Sequence, residues 1–211
     1  VCGKTFEDYL KNLDLVLQRL ISAGLKLQPK KCEFLAPVLH YLGHVITAAG
    51  VSPSPDKLEA IRKLQAPINV TELQQWLGLT SYYRRSIQGF AQITSVFSNL
   101  LRKGSVFKWE PQHHRAFEET KAKLLANPVL RIPNFSLPFI MYTDASHIAL
   151  GIAIAQIGED GLEHPVGYAS RALQGSELNY SVTEKEFLAV IYGIEYFRVY
   201  LIGRPFTIVT D

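Results

Sequence analysis

Phe139-Ile140-Met141-Tyr142-Thr143-Asp144-Ala145-Ser146-His147 is the stretch from which the rest of the chain is read. Phe139 to Thr143 is apolar and β-prone, and it carries one carboxylate, Asp144, to the point where a strand must stop. Burying an unpaired carboxylate is costly, so such a group is usually hydrogen-bonded, paired or bound to a metal. Taken alone, Asp144 reads equally well as a turn former or a helix cap. Two further acids shift that balance. Residues 184–201 have the period of a helix, and at about 100° per residue Glu186 shares a face with Ala189, Val190, Gly193, Phe197 and Leu201. That face is apolar, whereas Glu184 falls opposite it with Glu195 and Arg198, on a solvated stripe. A second β-prone run, Pro205 to Thr210, ends in Asp211 as the first ends in Asp144. Two strands that finish Thr-Asp, and a helix that inserts an acid into its packing face, suit a shared divalent cation. Hard cations take oxygen ligands and relieve the repulsion among carboxylates.

With Tyr168-Ala169-Ser170-Arg171-Ala172-Leu173, Glu177-Leu178-Asn179-Tyr180 and Glu184-Lys185-Glu186-Phe187-Leu188-Ala189-Val190, these residues resemble the RNase H domain of gypsy-type LTR retrotransposon and retrovirus-like Pol polyproteins. The resemblance continues upstream over essentially the whole chain. It implies an α/β (α+β) fold in four parts. The C-terminal end of a polymerase palm would span 1–51, a helical thumb 52–108, a tether 109–136, and a truncated RNase H-like mixed β-sheet with its helix 137–211. It implies that Asp144, Glu186 and Asp211 hold Mg²⁺ (or Mn²⁺) for hydrolysis of the RNA strand of an RNA–DNA hybrid. The helical-face argument selects Glu186 over Glu184 independently. Along the chain the acids run Asp, Glu, Asp, which separates this pattern from the Asp, Asp, Glu order of integrases. The partners implied are an RNA–DNA hybrid, a template-primer duplex, and the remainder of a Pol polyprotein: palm and fingers upstream, the rest of RNase H and integrase downstream. The rival reading is a non-catalytic or domesticated nucleic-acid-binding module. The chain departs from the family pattern at His147-Ile148-Ala149, where small residues are usual, and at Ser86, where Phe is usual.

The bulk properties agree with a globular nucleic-acid protein. Of the 211 residues, 47% are hydrophobic and 19% charged, a balance that excludes a disordered chain. No apolar run approaches the roughly 18 residues that span a bilayer, and no signal-peptide pattern is present. A membrane partner is not expected. Cys2 and Cys32 match no zinc spacing and read as reduced thiols, so an intracellular location is expected, in a cytoplasmic particle or the nucleus. Residues 1–109 hold 14 Lys and Arg against 7 Asp and Glu, while residues 110–211 hold 8 against 12. A basic front and an acidic back suit a phosphate-contacting part joined to a metal-using part. The chain starts at Val1 and ends on Asp211, which reads as a piece of a longer polyprotein. The Tyr-x-Asp-Asp turn of polymerases is not in it, so this piece alone is not expected to polymerise DNA.

Upstream, Phe6 to Ile21 has a helical period behind a Thr5 cap and stops at Gly24. Residues 30–34 and Leu39 to Thr47 read as strands. Tyr41-Leu42-Gly43-His44 resembles a primer grip, with Leu42, Gly43 and His44 as its nucleic-acid-binding residues, and its glycine lets the backbone approach a sugar-phosphate. Ser52 to Asp56 reads as a break before a helix that runs to about Gln65. Asn69 caps the next helix, in which Gln74, Gly78 and Tyr82 form one stripe at i, i+4 and i+8. In related thumbs such a stripe follows the minor groove of a duplex. Arg84 and Arg85 add phosphate-binding charge, while Trp76, Leu77, Leu79 and Tyr83 read as helix packing. A helix is expected over Phe90 to Lys103 and another from Trp109 to Asn127. His113 and His114 read as solvated, not as metal ligands.

Overall fold

Thr5 opens α1, Phe6–Ser22, in the computed structural model of the chain, its hydroxyl accepting from the Asp8 amide at 3.1 Å. The structure describes residues 5–126 and 129–210 together with Val1 and Gly3. They form two units, Val1–Pro37 and Val38–Asp211. In the first unit α1 is followed by a 3₁₀ turn at Pro29–Lys31, where a strand over 30–34 was expected. Pro29 fixes its own φ and has no amide to give to a ladder, so the chain turns instead.

The second unit begins with a three-stranded antiparallel sheet, β1 Leu39–Tyr41, β2 His44–Thr47 and β3 Gly50–Pro53. The single run expected over 39–47 is therefore a hairpin, split at Leu42 and Gly43, and β3 reaches into the stretch expected to be a break. Gly50 is required in β3. Its φ is +143°, and an ideal Cβ there would lie 2.3 Å from the Leu130 carbonyl oxygen, with which Val51 exchanges backbone hydrogen bonds.

Four helices follow: α2 Pro55–Lys63, α3 Val70–Tyr82, α4 Phe90–Thr94 and α5 Pro111–Leu125. Asn69 caps α3, accepting from the Glu72 amide at 2.9 Å, and Glu72 returns the favour by accepting from the Ile68 amide at 3.0 Å. The helix expected over 90–103 stops early. Thr94 and Ser95 donate their hydroxyls to the Phe90 and Gln92 carbonyls at 2.8 and 2.7 Å, a local competition with the helix ladder, and a 3₁₀ turn at Ser95–Asn99 takes over. Ile61, Leu73, Trp76, Tyr83, Phe97, Phe117 and Leu124 make one buried core between these helices. His113 belongs to that core, not to solvent as its sequence position suggested. It is 4% exposed, its Nδ1 accepts from the Glu110 amide at 3.0 Å, and its ring stacks near Phe97.

The remaining elements are β4 Phe139–Ala145, β5 Ala149–Ile157, β6 Glu163–Ala172, α6 Val182–Tyr196, α7 Arg198–Leu201 and β7 Phe206–Val209. The sheet order is β6-β5-β4-β7, antiparallel except that β7 runs parallel to β4. One sheet face, made by Phe139, Met141, Leu150, Ile152 and Ile154, meets Ala189, Phe197 and Leu201 in a second core. The apolar stripe read from the sequence is the buried one. The helix expected over 184–201 is interrupted, however. Phe197 leaves helical geometry at φ −97° and ψ 16° while its side chain is fully buried, so α7 restarts after it.

Gly193 lets α6 approach the sheet. An ideal Cβ there would lie 2.9 Å from the Met141 sulfur and 3.3 Å from two Ile152 carbons. Gly193→Val is expected to destabilise the unit by about 1–3 kcal/mol through overpacking. A urea midpoint that drops at unchanged m would bear this out, and an unmoved midpoint would contradict it. No described helix is long and apolar enough to cross a membrane.

Candidate functional site

Asp144 is the sixth residue of β4, paired with Gly151 of β5, and it is exposed. Strand alternation sends Phe139, Met141 and Thr143 toward α6, and Ile140, Tyr142 and Asp144 toward the other face. Glu186 comes from the first turns of α6 and is half-buried. Its Oε1 accepts the Ala145 amide at 3.2 Å, so this carboxylate sits against the residue next to Asp144. The helix start is set by a reciprocal cap. Ser181 Oγ accepts from the Glu184 amide, and Glu184 accepts from both the amide and the hydroxyl of Ser181 at 2.8 Å. Those hydrogen bonds hold the Glu184 carboxyl below its ordinary range. Of the two glutamates, Glu184 caps the helix and Glu186 reaches the strand. Lys185 between them is buried and donates to the Leu178 carbonyl at 2.9 Å, tying the 3₁₀ turn Gly175–Asn179 to α6. Asp211, the third acid expected here, lies outside the described residues. β7 places Val209 beside Tyr142, so the chain leaves β7 at the same sheet end as Asp144. Among the described residues no cluster of three or more His, Cys, Asp or Glu is positioned to hold a metal ion.

Asp144 opens into a cleft of about 790 Å³ lined also by Gln88, Gln92, Gln112, Arg115, Lys123 and Thr210. Sequence reasoning did not single out Arg115 or Lys123. They stand two turns apart on α5, and the i, i+4, i+8 spacing with Glu119 was the signal available. The Thr143 hydroxyl, buried on the α6 side of β4, meets no hydrogen-bond partner among the described residues.

The nucleic-acid residues expected upstream fall into two groups. Gln74, Gly78 and Tyr82 are all exposed on α3, and nothing lies within 4 Å of an ideal Cβ at Gly78, leaving an open groove in the stripe. Leu42, Gly43 and His44 form the β1–β2 turn, and the end of α3 reaches it. The Tyr82 hydroxyl donates to the Leu42 carbonyl, and the Tyr83 hydroxyl donates to the Gly43 carbonyl at 3.0 Å. Burial, reinforced by Tyr82, pushes the Tyr83 hydroxyl above the usual tyrosine range and keeps it a donor. The two arginines, Arg84 and Arg85, are both exposed, and Arg85 also donates to the Tyr200 hydroxyl at 2.9 Å, its guanidinium 5.7 Å from that ring's centre. Arg85 thus joins the helical part to the β6/α7 part, together with the Ala91 amide donating to Ser170 Oγ at 2.9 Å.

Residues 109–208 match the family described as an RNase H-like domain found in reverse transcriptase. Over its full length the chain is 40% identical to the retrovirus-related Pol polyprotein from transposon 297 of Drosophila melanogaster, of which it covers 20%. It is 36% identical, over 99% of its length, to the transposon Tf2-3 polyprotein of Schizosaccharomyces pombe, of which it covers 16%. The chain therefore spans a fifth or less of these relatives. Among solved structures, the foamy viral protease-reverse transcriptase in complex with an RNA/DNA hybrid aligns over 99% of this chain and 28% of its own, at 25% identity and a TM-score of 0.81. The foamy viral protease-reverse transcriptase dRH in complex with double-stranded DNA aligns over 99% of this chain and 37% of its own, at 25% identity and a TM-score of 0.80.

Proposed function

We propose, starting from a chain whose residues 109–208 belong to the RNase H-like family found in reverse transcriptase and whose homologues are transposon Pol polyproteins, that it supplies the ribonuclease H centre and part of the duplex-binding surface of such a polyprotein. In this reading residues 1–51 end a polymerase palm, 52–108 form a thumb, 109–136 a tether, and 137–211 the nuclease domain. The reaction is hydrolysis of the RNA strand of an RNA–DNA hybrid, and RNA-directed DNA synthesis belongs to the longer parent. The observation that carries the nuclease reading is the Ala145 amide donating to Glu186, which brings a second carboxylate from another element to the end of β4 beside Asp144.

The donor set fits a hard divalent cation. Oxygen-bearing acids from two elements come to one sheet end, Asp144 on β4 and Glu186 on α6, the latter bonded to the amide of the residue after Asp144. Asp144, Glu186 and Asp211 would hold Mg²⁺ or Mn²⁺, which supplies charge stabilisation and an activated water to phosphodiester hydrolysis when bound. The protein's own part is positional. β4 fixes Asp144, the Ser181 cap and the Lys185 tie fix the start of α6 and with it Glu186, and Arg115 and Lys123 offer positive charge across the cleft for a backbone phosphate. Leu42, Gly43, His44, Gln74, Gly78, Tyr82 and Arg84 face the duplex in this reading. Arg85 belongs to the same set: it is exposed, and one of its guanidinium donors is used by Tyr200, which leaves the others for a phosphate.

A labelled RNA–DNA hybrid tests the reading, incubated with this chain extended at both ends by its parent sequence, in Mg²⁺ and in chelator. Cleavage of the RNA strand in Mg²⁺ only is the expected result. Absence of cleavage, with salt-dependent binding of the hybrid intact, would make the protein a binding module instead.

A further inference from the structure

The β1–β2 turn is held in a conformation its sequence does not favour. Leu42 and Gly43 have φ of +47° and +77°, the pattern of a two-residue hairpin turn that prefers Asn or Gly at both positions. A leucine there persists only where its surroundings over-determine it. The surroundings are hydrogen bonds to the two turn carbonyls, and His44 Nδ1 stands 3.3 Å from the Leu42 carbonyl besides the following three donors. Tyr82 donates to the Leu42 carbonyl, and the Gly43 carbonyl accepts both the Tyr83 hydroxyl at 3.0 Å and the Ser54 amide at 2.9 Å. The His44 ring completes the contact, its centre 5.3 Å from the centres of both tyrosine rings, which themselves meet edge-to-face at 4.9 Å.

With both carbonyls turned inward, the turn shows solvent the Leu42 side chain, 69% exposed, and the Tyr41 ring, 58% exposed. Among the described residues no acceptor meets the Leu42 or Gly43 amide, so two backbone donors remain for a phosphate oxygen. Tyr82 is 52% exposed, but its hydroxyl is spent on Leu42, so only its ring is left for a ligand. Tyr83 is 2% exposed and cannot touch one.

We infer that Tyr83, seconded by Tyr82, is a positioning residue for nucleic acid: it clamps the 41–44 turn to the end of α3, so that the turn and the exposed stripe of α3 meet a duplex as one preorganised surface. This rests on the duplex-binding reading above and adds a residue that makes no contact with the ligand. Releasing the clamp lets the turn relax out of its left-handed geometry, and binding must then pay to restore it.

Tyr83→Phe keeps the ring and removes the hydroxyl. Affinity of the full chain for a labelled RNA–DNA hybrid, measured across a salt series, is expected to fall roughly threefold to tenfold with the salt slope unchanged, because no phosphate contact is lost. Arg84→Ala, in contrast, is expected to flatten the slope by about one. Faster hydrogen exchange at the Ser54 amide, which donates to the clamped Gly43 carbonyl, should accompany Tyr83→Phe. Should Tyr83→Phe fail to fold, Tyr82→Phe makes the same test from a half-exposed position. Unchanged affinity in a folded variant would overturn the clamp. No binding by the unmodified chain would overturn the duplex-binding reading itself, and the clamp with it.

Discussion

Asp144→Asn, introduced into the extended polyprotein, is expected to lower hydrolysis of the RNA strand of a hybrid by about a hundredfold to a thousandfold while leaving hybrid affinity within a factor of a few. Asparagine keeps the size of the side chain and its exposure at the end of β4, so the backbone pairing with Gly151 should survive. What it removes is one negative charge from a pair in which Glu186 is fixed by the Ala145 amide. A divalent cation held by oxygen ligands depends on that charge. Glu186→Gln should lose activity comparably, whereas Glu184→Gln should lower stability slightly and leave cleavage nearly intact, because Glu184 caps α6. Cleavage by Asp144→Asn at the unmodified rate would remove the carboxylate assignment altogether.

Phe139→Ala is expected to cost about 3–5 kcal/mol of folding stability, a large share of the roughly 5–15 kcal/mol that a domain possesses. Phe139 is fully buried at the head of β4, opposite Phe206 of β7, and its ring lies 6.2 Å from Phe135 and 6.1 Å from Tyr200 between ring centres. Truncation opens a cavity beneath both the strand that carries Asp144 and the strand that leads to Thr210. A control on α6, Phe187→Ala, removes a ring that is 66% exposed and should shift stability by no more than about 0.5 kcal/mol. Urea unfolding of both variants beside the parent chain measures the difference. Equal midpoints for the two would mean that this sheet face is not the core it is taken to be.

These effects trace back to features of very different legibility. The strand ending in Asp144 and the helix face bearing Glu186 were readable because each depends on a local period, two residues in one case and 3.6 in the other. The same period placed Ala189, Val190, Gly193, Phe197 and Leu201 inward; four of them are buried and Val190 is half-buried. Trp76 and Tyr83 were read as packing residues on like grounds and are buried too, yet nothing in the spacing of Tyr83 reveals the Gly43 carbonyl 40 positions away. Where local hydrogen bonding competes with a periodic pattern, the pattern misleads. Thr94 and Ser95 turn their hydroxyls back on the chain and end a helix expected to continue to Lys103.

By itself the sequence determined the strand that carries Asp144, the apolar face of α6, the choice of Glu186 over Glu184, and the exposed stripe Gln74, Gly78 and Tyr82, since all of these follow from periodicity and short-range chemistry. Only the tertiary structure decided which of two adjacent arginines is engaged by Tyr200, that His113 is buried against Trp109 and Phe97, that Arg115 and Lys123 border the cleft at Asp144, and that Tyr82 and Tyr83 hold the 41–44 turn. Those outcomes join residues tens of positions apart, through closures set by how two sheets and their helices stack, and no local pattern in the chain encodes them.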